Sequence, residues 1–487
     1  MTPMLKNASP RTLALALSFV LSACTVGPDY KGPPAVGADS ARFVRAPPEV
    51  VADGPVARWW TELNDPKLSD LVERALRVSP SIDAATARLR EARASLASER
   101  AKELPTSGVS AAYLRAHGLT SALGAAPAGG PAESNIYAIG FDATWEIDLF
   151  GAHRRAVEGA AAALQGSRAG LQDVQVSLTS EVAQAYVQLR DLQERVRLTA
   201  QNVEIERRLL DLMENRRASG TASELDLARL GNQLDNTLAT VGPLEAQVAD
   251  QMDRLALLIG GMPGTLDAEL LPASALPVPP QSVLVGDPAG LLRRRPDIAA
   301  AERKLAQQTS IIGQDIAALF PKLTLLGDVG FTAPTPRSLF TGSSLTYAAA
   351  PLLQWTPFDF GRKQATIAQA RASRDEAEAD YRRTVLAALQ DAESALNRYG
   401  KQRNTVGDFA RARASAERLY ELTEVRLRNG AASTTDLLDA DSRRVQAQLS
   451  YQQALGQLST DFVALQKSLG LGWIGAASSG GLAGPES

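Results

Sequence analysis

Cysteine is almost absent. A single one, Cys24, stands in 487 residues, which excludes a disulfide framework and any cysteine-rich metal site. Histidine is nearly as scarce: His117 and His153 lie far apart, and neither has metal-ligand neighbours. The net charge of −3 leaves no basic footprint for nucleic acid. After Cys24 no apolar run reaches the roughly 18 residues that a membrane-spanning helix needs. Any span beyond that point has to be β, because only closed barrels otherwise satisfy backbone groups in lipid. Nucleophile elbow, phosphate loop, dinucleotide fingerprint and zincin motif are all missing, so the chain reads as no enzyme and as holding no metal. What is present is 45% apolar content, enough for a large core.

The first residues carry an address. Lys6 and Arg11 precede the apolar run Leu13–Leu21, too short to span a bilayer, and L-S-A-C follows from Leu21 to Cys24. This resembles a bacterial lipobox. The resemblance implies a signal peptide over 1–23 and a covalent lipid (diacylglycerol with an N-acyl chain such as palmitate) on Cys24. Thr25 stands where inner-membrane lipoproteins often carry Asp, which favours the outer membrane. Loss of Lys6 and Arg11 moves the charge from −3 to −5.

The chain is written twice. W-E-I-D-L-F-G at Trp145–Gly151 returns as W-T-P-F-D-F-G at Trp355–Gly361, an offset of 210 that also maps Gly220 to Gly430, Ser223 to Ser433, Asp226 to Asp436 and Gly260 to Gly470. Upstream, Ile82, Leu89 and Pro105 match Ile298, Leu305 and Pro321 at offset 216, so a longer loop in the first copy takes up six residues. The expected organisation is a lipidated N-terminal segment with an equatorial region over 24–80, repeat 1 over 81–262, a proline-rich linker over 263–288, repeat 2 over 289–472 and a tail over 473–487.

Each repeat reads as helix, β-hairpin, long helix, turn, long helix. The first helices are expected near Ser81–Leu104 and Asp297–Phe320, ended by Pro105 and Pro321. Tyr137, Ile139, Phe141, Ala143 and Trp145 alternate with small or polar residues, as do Leu323, Leu325, Val329 and Phe331 less cleanly. Strands of this kind, roughly ten residues long, suit a tilted transmembrane barrel, with a soluble β-layer as the alternative. The loop His117–Gly130 is rich in glycine, alanine and proline. Val182, Ala185, Leu189, Leu192, Val196 and Val203 form a heptad stripe, as do Leu455, Leu458, Phe462, Leu465 and Leu469. A helix from Gly151 to Arg217 extends about 100 Å at 1.5 Å per residue. One protomer cannot bury such a rod, and four strands leave two open edges, so an oligomer is required.

C-T-V-G-P-D-Y-K-G-P, then R-W-W-T-E-L-N-D-P-K-L, then L-R-R-R-P-D-I-A-A-A-E-R-K-L at Leu292–Leu305 and L-F-P-K-L-T-L at Leu319–Leu325 carry a resemblance over nearly the whole chain. Together they resemble NodT-type lipoproteins of the TolC-like outer membrane factors. The resemblance implies a mainly α fold with a small β part: a homotrimer whose four strands per chain close one twelve-stranded outer-membrane barrel over a long periplasmic α-barrel. It implies an exit duct for small molecules, working with a periplasmic adaptor and an inner-membrane pump of the resistance-nodulation-division class. A type I protein-secretion duct and a pore-free, lipid-anchored coiled coil remain as alternatives; the secretion branch generally lacks a lipobox.

Two turns repeat a charged signature. Arg216, Arg217 and Gly220 end one helix, and Arg426, Arg428 and Gly430 another. Ser223 with Asp226, and Ser433 with Asp436, have capping-box spacing, so each aspartate reads as a helix cap. Asp439 falls outside that account. It shares a face with Asp436, where like charge costs about 0.2–0.5 kcal/mol. Asp441 points elsewhere and is expected to be solvated. The resemblance places aspartates where the periplasmic end of the tube narrows. Asp436 and Asp439 are thereby candidate gate residues whose repulsion in a trimer would raise their pKa values. The turns Ala218–Ser223 and Asn429–Ser433, with Gly220, Ser223, Asp226, Gly430 and Ser433, are the expected adaptor contact. The first repeat has Asp226 alone.

Overall fold

A computed structural model describes residues 25–36, 42–47, 50–51, 56–117 and 133–473. Cys24, most of the loop after His117 and the tail from 474 lie outside the described residues, and with them the expected lipid attachment.

The duplication is visible in element lengths. Helix α2 (Pro80–Ala101) and α7 (Pro296–Ala317) have 22 residues each, α3 (Ala152–Ala218) and α8 (Arg362–Arg428) have 67, and α4 (Glu224–Leu258) and α9 (Thr434–Ser468) have 35. Equal lengths leave no room for an insertion within any helix, so the six-residue difference lies in the hairpins. Both first helices stop three residues short of the expected ends. In the first copy the chain turns, with Leu104 N donating to Ala101 O at 3.1 Å, before Pro105 removes the next donor. The remaining helices are α1 (Pro66–Val78), α5 (Asp267–Leu270) and α6 (Pro288–Arg294).

One compact unit gathers the described residues within 25–34, 89–167 and 301–381. Its sheet has four antiparallel strands in the order β2 (Thr106–His117), β3 (Glu133–Ile147), β5 (Lys322–Ala333) and β6 (Leu345–Gln354). Trp145 Nε1 donates to Glu103 O at 2.9 Å, and its repeat equivalent Trp355 donates to Leu319 O at 3.0 Å. Each hairpin is thus tied to the end of the preceding helix by the same indole, which is why that tryptophan occurs in both copies. The buried Arg155 straps the N-terminal segment down: it donates to Val26 O at 3.2 Å and pairs with Asp29 at 2.7 Å.

The second unit comprises the described residues within 35–88, 168–300 and 382–473. Its heptad stripe is the core: Val182, Ala185 and Leu189 of α3 and Phe462, Leu465 and Leu469 are fully buried. Trp59 packs edge-on against Phe462 with centroids 6.0 Å apart, and Tyr186 Oη donates to Asp65 Oδ2 at 2.9 Å, fixing the short 3₁₀ turn Trp59–Leu63 and α1 to that core. The proline-rich linker is not structureless. It holds α5 and a short strand β4 (Val283–Leu284), which pairs in parallel with β1 (Val50–Val51). Proline frequency there hid both, because each is only a few residues long.

Candidate functional site

The two tip turns have one construction. Gly220 and Gly430 adopt φ of 72° and 70°, a left-handed conformation that glycine reaches without a Cβ penalty. Thr221 N donates to Arg216 O at 2.8 Å and Ala431 N to Arg426 O at 2.8 Å, closing a Schellman motif on each long helix. Ser223 and Ser433 are the N-caps of α4 and α9. Around Ser433 the capping box is reciprocal: Asp436 N donates to Ser433 Oγ at 3.2 Å, and Ser433 N donates to Asp436 Oδ2 at 2.7 Å. In the first copy Ser223 Oγ accepts from Asp226 N at 3.1 Å and donates to Asp226 Oδ2 at 2.6 Å.

These bonds decide the electrostatics of the caps. The backbone and hydroxyl of Ser433 hold the Asp436 carboxyl below the usual carboxylate range, and the Ser223 hydroxyl does the same for Asp226. Within one chain the effect is therefore opposite in sign to the rise expected from repulsion in a ring. Asp436 is ionised because a cap stabilises its charge.

Asp439 has a partner that the reading by caps did not supply. Its Oδ2 lies 3.0 Å from Arg443 Nε, one turn on along α9, with both side chains more than half exposed. A surface pair of this spacing contributes about 0.3–0.5 kcal/mol, enough to offset the repulsion from Asp436. The i, i+4 spacing was legible in the sequence. So was a second feature: at offset 210 the first repeat carries Arg229 where the second has Asp439, so the matched position reverses charge. Asp441 is not solvated. It is mostly buried and accepts from Arg444 at 2.6 and 2.9 Å, while Arg444 stacks on Tyr420 with its carbon 4.9 Å from the ring centre. Burial of the Arg444 stem against that ring draws the carboxylate inward.

Above the tip, α3, α4 and α9 enclose a polar groove lined by Asn202, Glu206, Arg229, Gln233, Asp439 and Ser442, among others. Its floor is Glu206, only 2% exposed. Glu206 Oε1 accepts from Asn202 Nδ2 at 3.0 Å and Gln233 Nε2 at 2.8 Å, and Ser442 Oγ reaches Asn202 at 3.0 Å, so the network spans all three helices. Glu206 Oε2 has no partner among the described residues. The sequence signal was its place three residues after Val203 on the apolar stripe, a core position holding a carboxylate. Glu206→Gln keeps an acceptor for both amides while removing a buried charge. It is expected to raise stability by about 1–2 kcal/mol, read as a higher melting temperature; a lower one would show that the charge itself holds the three helices.

The sheet has two unlike faces. Val109, Phe141, Val329 and Tyr347 lie opposite one another across all four strands, and all are exposed. Ala111, Ile139, Phe331 and Leu345 form the next row on that face. Gly108, Asp142, Asp328 and Ala348 make the corresponding row on the other face. One face is thus apolar along two successive rows, and the other carries Asp142 and Asp328 among glycine and alanine, with Leu326 and Leu352 nearer one end; this inverts the pattern of a soluble sheet and fits a lipid-facing wall with a more polar lumen. No described helix is long and apolar enough to cross a membrane.

A family model for outer membrane efflux proteins matches residues 71–261 and 288–471, one match per repeat. The chain belongs to the outer membrane efflux protein family. It is similar to nodulation protein T of Rhizobium leguminosarum bv. trifolii, 28% identical over 471 residues that cover 95% of this chain and 97% of that protein. It is similar to the pyoverdine export outer membrane protein OpmQ of Pseudomonas putida, 33% identical over 479 residues, covering 95% and 98%. Among solved structures, the outer-membrane channel OprN is 33% identical with a TM-score of 0.84, covering 92% of this chain and all of that one. As a member of this efflux family the protein is an outer membrane protein with a TolC-like chain fold. The expected family, fold class and membrane therefore stand.

Proposed function

We propose that the protein is the exit duct of a tripartite efflux system, a homotrimer that carries small molecules from the periplasm or an inner-membrane pump to the exterior. One observation carries this reading: the four-stranded sheet pairs an exposed apolar face with a small, polar one and ends in two open edges. Open edges are not tolerated in lipid, so the sheets of several chains close a barrel around a polar bore. With three chains the barrel has twelve strands. Export energy comes from the pump, since the family is one of channels. The trimer purified in detergent is expected to form ion-conducting pores in a planar bilayer; folded protein that conducts nothing even with Asp436 and Asp439 changed to alanine leaves the pore-free coiled coil.

The tip is the periplasmic gate in this reading. Asp436 and Asp439 of three chains converge as six carboxylates, favouring cations. Asp436 serves as cap and gate together, and opening exchanges the Asp439–Arg443 pair for other contacts. Asp436→Ala with Asp439→Ala is expected to raise conductance and to lower cation preference by about twofold or more. Unchanged conductance and preference would reduce both residues to helix chemistry. The turns Ala218–Ser223 and Asn429–Ser433 dock a periplasmic adaptor, and Cys24 carries a covalent lipid that anchors the segment strapped by Arg155.

A further inference from the structure

The repeat fixes how one copy of the chain meets the next, to the residue. In the first hairpin Thr106 lies opposite Thr144 and Leu114 opposite Ile136. In the second, Lys322 lies opposite Gln354 and Gly330 opposite Thr346. Moving the first strand on by 216 and the second by 210, the offsets of the sequence repeat, converts each first pair into the second. The two hairpins thus share one register.

A third pairing, β3 with β5, joins repeat 1 to repeat 2, with Trp145 opposite Leu325 and Thr144 opposite Leu326. Its equivalent, advanced by one repeat, leaves the chain: it joins β6 to the β2 strand of a second copy. We infer that the barrel closes with Trp355 opposite Val109 of the partner subunit, Gln354 opposite Ser110 of the partner subunit and Leu352 opposite Ala112 of the partner subunit. This inference rests on the trimeric reading above and sharpens it to a register.

Two features of the single chain agree. The faces match: Leu353 and Ala111, opposite one another in this register, both lie on the face of Val109 and Phe141, and Gln354 and Ser110 both on the face of Asp142 and Asp328. A slip of one residue would set the apolar face of one strand against the other face of its neighbour. Away from the strands, Phe150 stacks on Phe320 with centroids 4.5 Å apart and planes at 16°. That contact also joins repeat 1 to repeat 2. Its counterparts under the same offsets are Phe360, which is 100% exposed with φ of 56°, and Leu104, which is 66% exposed. A large apolar ring held out in a left-handed backbone is a strain that persists only when surrounding structure holds it in place. Phe360 seated on Leu104 of the partner subunit repeats the Phe150–Phe320 contact at the junction between copies.

The test is disulfide trapping in the intact, membrane-inserted protein. Directly opposite cysteines fall within bridging range, whereas a shift of two residues opens the separation to roughly 7–8 Å, beyond it. Ser110→Cys with Gln354→Cys is expected to run as a covalent trimer on non-reducing gels, with about tenfold lower yield for Ser110→Cys with Leu352→Cys. Preferred linking through Leu352 overturns the register while leaving the trimer intact. A trimer by native mass spectrometry that links through neither strand pair also overturns the register. A monomer that links nowhere overturns the trimeric reading itself.

Discussion

Arg295→Ala lowers the stability of the helical unit by about 3–5 kcal/mol, read as an early unfolding transition in detergent by circular dichroism. Arg295 is largely buried and ties the start of α7 to the end of α9. It forms a two-pronged pair with Asp297 at 3.0 and 2.7 Å, and its third arm donates to Ser468 O at 3.0 Å, one of the carbonyls left unsatisfied where α9 ends. Asp391 of α8 stands 3.7 Å away. Alanine leaves Asp297 without its partner beside Asp173, whose own carboxyl burial and the neighbouring Asp297 already push up. Lysine does not rescue, because an ammonium cannot serve the two carboxylate oxygens and the helix end together. A melting temperature within a degree or two of the parent would show that the fork is dispensable.

Asp191→Asn is expected to stabilise, and only above acid pH. Asp191 projects from α3 toward Gly456 of α9, where an added Cβ would sit 2.7 Å from the carboxyl carbon. Its side chain is 13% exposed, with Arg195 of its own helix 3.6 Å away. Asp191 Oδ1 has no hydrogen-bond partner among the described residues. Burial pushes the carboxyl up to about 6 against the partial relief from Arg195 and Gln452. The folded pKa lies above the unfolded value of 3.8, so the protonated form is the one the fold favours. Stability therefore falls as pH rises from about 4 to 6, by about 3 kcal/mol at most, and stays low above that. Asparagine removes the slope. At pH near 7.5 the variant should be more stable by about 1–3 kcal/mol, and near pH 4 no different. Equal stability of the two proteins at both pH values would mean that water reaches the carboxylate.

Much of this was legible in the residues. The repeated W-x-x-x-x-F-G signal gave the duplication because both copies must make the same turn from strand to helix, and the tryptophan binds the equivalent carbonyl in each. The capping of α4 and α9 was legible because Ser-x-x-Asp after glycine acts locally, within four residues. The fates of Asp439 and Asp441 were less so. Asp439 and Arg443 are four apart, a spacing that permits an ion pair without requiring one. Asp441 turns inward because Tyr420, twenty-one residues away on another helix, offers a face for Arg444. No local rule encodes that.

By itself the sequence determined the repeated elements, their order, their duplication and the family, because periodicity, turn chemistry and repetition are carried by neighbours along the chain. Only the tertiary structure decided which charges are buried. Glu206, Asp191 and Arg295 differ from dozens of surface counterparts through what other helices place against them, and the cost of a charge depends on its surroundings rather than on its position in the chain.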